Sequence, residues 1–241
     1  MIRQLLERNP TLAEVVVQYP PAVRVFEELG IDYCCGGDRP VSDAISALHI
    51  SLDALAERID SACAAPEPDE RDWSTASLTE LADYIEAKHH AYLRSELPRL
   101  SDVCRRVLDA HRARHGDILA PLQETFEGLR SELEAHMMKE ENVLFPMIRA
   151  REASADQEIG GFPIEAPISV MRAEHDSAGE ALETMRDITS NYSLPDDACP
   201  SYRDLYLSLQ NLERDLHRHI HLENNILFPR AITASRSSGW L

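Results

Sequence analysis

The chain has 241 residues, of which 44% are hydrophobic and only 6% aromatic, and this composition favours helices over strands. Its 42 acidic residues outnumber 24 Lys and Arg, and a formal net charge of −18 argues against nucleic-acid and anionic membrane partners. No segment approaches the roughly 18 consecutive apolar residues of a membrane span, and Met1–Pro10 lacks the apolar core of a secretory signal. We therefore expect an all-α cytoplasmic protein.

Residues 1–62 are predicted to form a small helical domain. Thr11 has the side chain of a helix cap, and Gly30 is a normal end for the next helix. A Gly-rich turn follows at 32–38, with the sequence Asp-Tyr-Cys-Cys-Gly-Gly-Asp. The polar, proline-containing stretch 63–76 is the predicted linker.

Residues 77–241 show the spacing of long amphipathic helices. Ser77 and Glu80 match a capping box at the start of the first helix. We predict helices near 78–108, 117–150, 166–191 and 200–234. Gly160 and Gly161 mark the loop between the second and the third. Four helices about 37 to 52 Å long are typical of a four-helix bundle.

The bundle contains an internal repeat. The eleven residues His136–Pro146 match His219–Pro229 at six positions, namely His, Glu, Asn, Leu, Phe and Pro. His90 lies 46 residues before the first copy, and His175 lies 44 residues before the second. The bundle therefore divides into two related helical hairpins. The proline that closes each copy is predicted to bend or end its helix.

Each copy of the repeat places a histidine and a glutamate four residues apart, on one helix face. His136 with Glu140, and His219 with Glu223, can therefore point into the bundle together. A single His-x-x-x-Glu pattern is more often a solvated ion pair, but two buried copies need a compensating cation because unpaired buried charge costs several kcal/mol. Imidazole suits iron, zinc, copper and manganese, and a carboxylate can bridge two cations. A pair of iron ions is the natural occupant of such a bundle.

These motifs resemble the hemerythrin-like di-iron bundle, and most closely the iron-sulfur cluster repair di-iron proteins, the Repair of Iron Centres family. The resemblance covers almost the whole chain. It rests on Asp32–Gly37, on His90 with Glu96–Pro98, on His136–Pro146, on Pro167–Met171 with Glu174–Asp176, and on His219–Pro229. It implies a hemerythrin-like four-helix bundle with a small N-terminal helical domain that bears cysteines, often as a homodimer.

The resemblance also implies a non-haem centre of two iron ions per chain with oxo or hydroxo bridges. The implied terminal ligands are His90, His136, His175 and His219, and the implied bridging ligands are Glu140 and Glu223. Oxygen-carrying hemerythrins have a further histidine, but here Gly179 stands four residues after His175 and cannot coordinate. We expect this open coordination to favour reaction or iron release over reversible oxygen binding. His111 is expected near the metals or along an access path, whereas His115 is at least as consistent with a polar loop.

The implied activity is the restoration of iron–sulfur clusters damaged by nitric oxide or peroxide, by iron donation, nitric oxide reduction or both. The implied partners are damaged or apo iron–sulfur proteins, with nitric oxide or oxygen as small ligands. One alternative is a sensor that binds nitric oxide or oxygen without turnover. Another is a bundle without metal, which requires the His-x-x-x-Glu side chains of both copies to face solvent.

The five cysteines predict no disulfide framework, because their number is odd and their spacing irregular. Cys34 and Cys35 are neighbours, and a disulfide between neighbours is strained. We interpret them as thiols on an exposed turn that serve redox chemistry or iron transfer. Asp32 and Asp38 are expected to raise the thiol pKa values. The other cysteines, Cys63, Cys104 and Cys199, are interpreted as incidental.

Overall fold

The structure, a computed structural model, describes residues 2–65, 71–153 and 163–237. Helices and their connections make up these residues, which confirms the predicted all-α class. Within the same residues, no helix is long and apolar enough to cross a membrane. The predicted loop residues Gly160 and Gly161 lie outside the described residues.

The chain forms two compact units. Unit 1 comprises Met1–Leu81 together with His217–Leu241, and unit 2 comprises Ala82–Leu216. The predicted division into domains at residues 62 and 77 stays a prediction.

Unit 1 begins with five short helices. They are α1 (Ile2–Leu6), α2 (Leu12–Gln18), α3 (Ala22–Leu29), α4 (Val41–Ala47) and α5 (Leu52–Ala64). The Thr11 hydroxyl accepts the Glu14 N–H at 3.1 Å, and the Glu14 carboxylate accepts the Thr11 N–H at 2.9 Å, so the predicted cap is a full capping box. Gly30 ends α3 with a φ of 65°. Phe26, Tyr33 and Ile220 lie in the core of this unit.

Unit 2 is a four-helix bundle. Its helices are the end of α6 (Leu78–Ile85), α7 (Ala91–Lys139), α8 (Phe145–Ala153), α9 (Glu165–Ile188) and most of α10 (Pro200–His221). A break at His115, where φ is −130°, divides α7 into two arms. Because Ser101 on the first arm hydrogen-bonds Glu127 on the second, the two arms run antiparallel. Fully or almost fully buried leucines from both arms and from α9 and α10 fill the core, including Leu97, Leu122, Leu182 and Leu209.

Three π-helical segments carry predicted ligands. They are π1 (Glu86–His90), π2 (Glu140–Leu144) and π3 (Leu222–Leu227), and α11 (Phe228–Ser237) follows the last. The Phe145 N–H bonds the Glu140 carbonyl and the Phe228 N–H bonds the Glu223 carbonyl, five residues back in each case. Such π segments are rare and occur mostly at functional sites. The sequence pattern did not predict these π segments.

The repeat prolines do not end their helices, so that part of the prediction is wrong, whereas the bend stays a prediction. Pro146 is the second residue of α8 and Pro229 the second residue of α11, and both helices continue beyond them. Each proline follows a π segment directly. In the first turn of a helix the missing proline N–H has little cost, so the chain resumes α-helical geometry there.

Candidate metal centre

Three buried histidines and one buried glutamate come together in unit 2. The Glu140 Oε2 atom lies 3.3 Å from the Nε2 atoms of both His90 and His136. The His175 Nε2 atom lies 3.1 Å from the His136 Nε2 atom. Ligand atoms of His136, Glu140 and His175 all lie within 4.8 Å of one another. The structure thus brings four of the predicted ligands to one place.

The Glu140 side chain fits a bound cation. It has no exposed surface, and neither of its carboxylate oxygens accepts a hydrogen bond. A buried carboxyl group without hydrogen bonds costs roughly 1–3 kcal/mol or more, so this arrangement is unfavourable unless a cation compensates it. Three imidazoles with one carboxylate are a donor set that suits iron and other transition metals.

Carboxylates hold the far side of two of these imidazoles. The His90 Nδ1 atom lies 2.7 Å from a Glu141 oxygen, and the His136 Nδ1 atom lies 2.8 Å from a Glu174 oxygen. A carboxylate partner keeps the ring proton on Nδ1 and leaves Nε2 as a metal donor. The sequence pattern predicted this supporting role for neither Glu141 nor Glu174.

Basic side chains hold these two carboxylates in turn. Arg94 contacts Glu141, and Lys139 contacts Glu174. Burial alone would raise the pKa of each carboxyl group. The hydrogen bonds from the cations and the imidazoles outweigh burial and lower both pKa values. Both acids are therefore ionised at neutral pH and can fix the histidine tautomers.

The second copy of the repeat is also buried. In unit 1, the His219 Nε2 atom lies 3.2 Å from a Glu223 oxygen, and their exposed fractions are 1% and 0%. His136 and Glu140 are 3% and 0% exposed. The alternative of a metal-free bundle required all four side chains to face solvent, and the structure contradicts it.

The cysteine turn of unit 1 is organised around Asp32. Its carboxylate accepts the backbone N–H groups of Cys34 and Cys35 at 3.0 Å and that of Gly36 at 2.8 Å. The prediction of an exposed pair is wrong for Cys34, which is 4% exposed, because the turn folds its side chain into the core. The hydrogen bond to Cys35, burial and the Asp32 charge together raise the pKa of the Cys34 thiol.

Two asparagines that follow Glu223 directly hold the cysteine turn. Asn224 donates to the Cys34 carbonyl at 3.3 Å, and Asn225 donates to the Tyr33 carbonyl at 2.9 Å. Gly37 packs so closely that a Cβ atom there would lie 2.8 Å from the Tyr33 carbonyl oxygen. The cysteine turn is therefore fixed to π3.

The structure does not bring His111 to the predicted ligands of unit 2, so the expectation that it lies near the metals is wrong, and the alternative of an access path stays a prediction. His111 follows His90 by 21 residues of almost uninterrupted helix, which corresponds to about 30 Å at the usual rise per residue. Its Nε2 atom lies 3.2 Å from the Cys199 Sγ atom instead.

Comparisons with known proteins agree with this geometry. The Hemerythrin HHE cation binding domain matches residues 82–231, and the ScdA_N Domain of Unknown function (DUF542) matches residues 8–63. Over 225 residues, 93% of this chain and 97% of each relative, the chain is 37% identical to the iron-sulfur cluster repair protein YtfE of Pectobacterium atrosepticum and 39% identical to that of an Enterobacter species. It is also 37% identical over the same span to YtfE of an Escherichia coli O81 strain. The chain therefore belongs to the iron-sulfur cluster repair proteins, the family that combines a ScdA_N domain with a hemerythrin HHE cation-binding domain.

Proposed function

We propose that this protein supports the repair of iron–sulfur clusters damaged by nitrosative or oxidative stress, using a non-haem di-iron centre. The observation that carries the proposal is Glu140, fully buried between His90 and His136 without a hydrogen bond. The names of relatives that match nearly the whole chain support the repair role. Its partners would be damaged or apo iron–sulfur proteins, with nitric oxide or oxygen as small ligands.

We propose six protein ligands for two iron ions per chain. They are His90, His136, His175 and His219 as terminal ligands, with Glu140 and Glu223 as bridging ligands. Both copies of the repeat are buried, and the hemerythrin match spans both. When bound, the two ions would supply adjacent redox-active positions or exchangeable iron.

The side chains around the ligands would tune that site. Glu141 and Glu174 hold the proton of their imidazoles on Nδ1 and keep the Nε2 atoms available. The Phe145 ring stacks on His90 with the ring centroids 5.8 Å apart, which excludes water from that face. Gly179 supplies no ligand, which supports a more open site than that of oxygen carriers.

We propose that Cys34 and Cys35 assist by redox chemistry or iron transfer. The Asp32, Cys34 and Cys35 ligand atoms lie within 4.8 Å of one another. Asn224 fixes their turn one residue after Glu223. Because the thiols are not in disulfides, we propose action in the reducing cytoplasm. The homodimer is proposed on the family resemblance alone.

Repair of a purified iron–sulfur enzyme inactivated by nitric oxide tests the proposal. Wild-type protein should restore the activity, whereas Glu140→Gln should lose both iron and repair. Glu132→Gln, at an exposed position of α7, the helix that precedes π2, is the matched control and should retain both. Full repair by a Glu140→Gln protein that contains no iron would overturn the proposal.

Isotope labelling distinguishes iron donation from nitric oxide reduction. If the protein donates iron, protein loaded with ⁵⁷Fe should transfer the label into the repaired cluster. If it reduces nitric oxide, nitric oxide should be consumed catalytically and the cluster should remain unlabelled. Nitric oxide binding without consumption, transfer or repair would favour the sensor.

A further inference from the structure

A second group of reactive side chains lies in unit 2, apart from the predicted ligands. The Cys199 Sγ atom lies 3.2 Å from the His111 Nε2 atom, although the two residues are 88 positions apart in the chain. Cys199 directly precedes α10, and its carbonyl accepts the N–H groups of Tyr202 and Arg203, each at 3.1 Å. Cys199 and His111 are both half-buried.

Neighbouring side chains fix the imidazole beside the sulfur. The buried Tyr202 ring meets the His111 ring edge-on, with the centroids 5.3 Å apart. The His115 ring lies 6.0 Å from the His111 ring, and its Nε2 atom is 2.8 Å from an Asp197 oxygen. Arg114 also donates to Asp197, at 2.9 Å. Arg114 and His115 therefore both pair with Asp197, whereas the His111 Nε2 atom faces the Cys199 sulfur.

This geometry is that of a nucleophile and its base. With its own proton on Nδ1, the His111 ring can accept the Cys199 proton at Nε2, and a thiol that loses its proton to an adjacent base becomes a strong nucleophile. We propose that Cys199 and His111 form a reactive thiol site for hydroperoxides. This site is independent of the proposed di-iron function.

The reaction balances with the hydroperoxide as the oxidant. As the Cys199 sulfur attacks the distal oxygen of hydrogen peroxide, the thiol proton passes to His111 Nε2. The S–O bond forms and the O–O bond breaks, and His111 returns the proton to the departing hydroxide as water. The thiol is oxidised to a sulfenic acid and the peroxide is reduced to water.

Two other cysteines provide internal comparisons. Cys104 is 2% exposed, and burial raises the pKa of its thiol to about 12, so it should react slowly. Cys63 is half-buried, like Cys199, so the two residues are matched in their burial. A faster reaction at Cys199 than at Cys63 would therefore report the effect of His111 rather than exposure.

Peptide-resolved alkylation of the iron-loaded, full-length protein with iodoacetamide tests the pair. In the wild type, Cys199 should react about 10-fold faster than Cys63 or more. His111→Ala and His111→Gln should both reduce the Cys199 rate to nearly that of Cys63, whereas the exposed control Arg112→Ala should not change it. Equal rates at Cys199 and Cys63 in the wild type would overturn the proposal without any variant.

Hydrogen peroxide with a sulfenic-acid trap tests the oxidant class. The trapped adduct should appear on Cys199 first in the wild type and should be reduced in His111→Gln. Absence of the adduct from Cys199 in the wild type, or an equal yield in His111→Gln, would overturn the assignment. Because neither readout measures cluster repair, failure here would leave the proposed function intact.

Discussion

Asn225 donates its side-chain N–H to the backbone carbonyl of Tyr33 at 2.9 Å, and this contact fixes the cysteine turn to the helical segment that carries Glu223. Asn224, the residue between Glu223 and Asn225, donates to the Cys34 carbonyl. Two hydrogen bonds therefore join the residues that follow Glu223 to the backbone of the cysteine turn. This arrangement gives a structural basis for cooperation between the thiols and the proposed ligand.

The close packing at Gly37 predicts that Gly37→Ala destabilises the protein. The new methyl group would lie 2.8 Å from the Tyr33 carbonyl oxygen and 3.1 Å from the Asn225 Oδ1 atom, so the turn must shift. Overpacking of this kind costs about 1–3 kcal/mol. Urea unfolding should show a lower free energy of unfolding, and the thiol alkylation rates at Cys34 and Cys35 should change.

Gly128→Ala is the matched control for that substitution. Gly128 lies inside α7, and a Cβ atom there would meet nothing within 4 Å. Replacing glycine by alanine inside a helix stabilises it by about 0.5–1 kcal/mol. If Gly37→Ala proved as neutral or stabilising as Gly128→Ala, the turn would not be fixed to π3 as described.

Loss of the carboxylates that contact the His90 and His136 imidazoles should lower the metal affinity, although these carboxylates are not metal ligands themselves. Glu141→Gln and Glu174→Gln weaken the hold on His90 and His136, and we expect the iron affinity to fall about 10- to 100-fold for each. Competition with a chelator measures this affinity. Glu134→Gln, an exposed glutamate that pairs with Arg130, should leave it unchanged. If the iron affinity were unchanged in both Glu141→Gln and Glu174→Gln, these carboxylates would stabilise the fold but not the metal site.

The substitution Glu140→Leu should have opposite effects on the free energy of unfolding in iron-free and in iron-loaded protein. In iron-free protein, Glu140→Leu removes a buried carboxyl group that has no hydrogen bond, and the free energy of unfolding should rise by about 1–3 kcal/mol. In the presence of excess iron the wild type should become the more stable of the two, because only it gains metal-binding energy. Urea unfolding with and without chelator checks both signs. If Glu140→Leu were less stable than the wild type without iron, the Glu140 carboxyl would not be an unfavourable buried group that awaits a metal.

The buried Cys104 thiol should make the free energy of unfolding depend on pH in the alkaline range. Burial raises the pKa of its thiol from 9.0 to about 12 in the folded protein. Between these values the unfolded chain has released the proton that the folded chain retains, so stability falls with rising pH by up to about 1.4 kcal/mol per unit. Cys104→Ala should remove this contribution, so the free energy of unfolding should fall less steeply between pH 9 and pH 12 than in the wild type. Parallel curves for wild type and Cys104→Ala would contradict the prediction.

The ligand pattern and the helix caps could be predicted because both depend on short sequence spacing. His136 and Glu140 share a helix face through their separation of four residues, and Thr11 meets Glu14 within one turn. The contact of His90 with Glu141 could not be predicted, because it joins residues 51 positions apart and depends on how the helices align. The π segments were missed because a single wider turn hardly changes the apolar pattern of a long helix.

Two expectations failed for physical reasons that the sequence only partly contains. His111 could have been placed away from the metals, since 21 residues of helix separate it from His90 by about 30 Å. The burial of Cys34 depends on Asp32 and Asn224, which fold the turn inward by hydrogen bonds to backbone groups. Gly-rich composition alone suggested an exposed loop.

Iron content and visible absorption should be compared between the wild type and a Glu140→Ala, Glu223→Ala double variant, because these two carboxylates are the proposed bridging ligands. We expect about two irons per wild-type chain and an oxo-bridge charge-transfer band, with both lost in the double variant. Little iron in the wild type after anaerobic loading with ferrous iron, or unchanged iron in the variant, would contradict the proposed di-iron centre and leave the repeat as a packing feature.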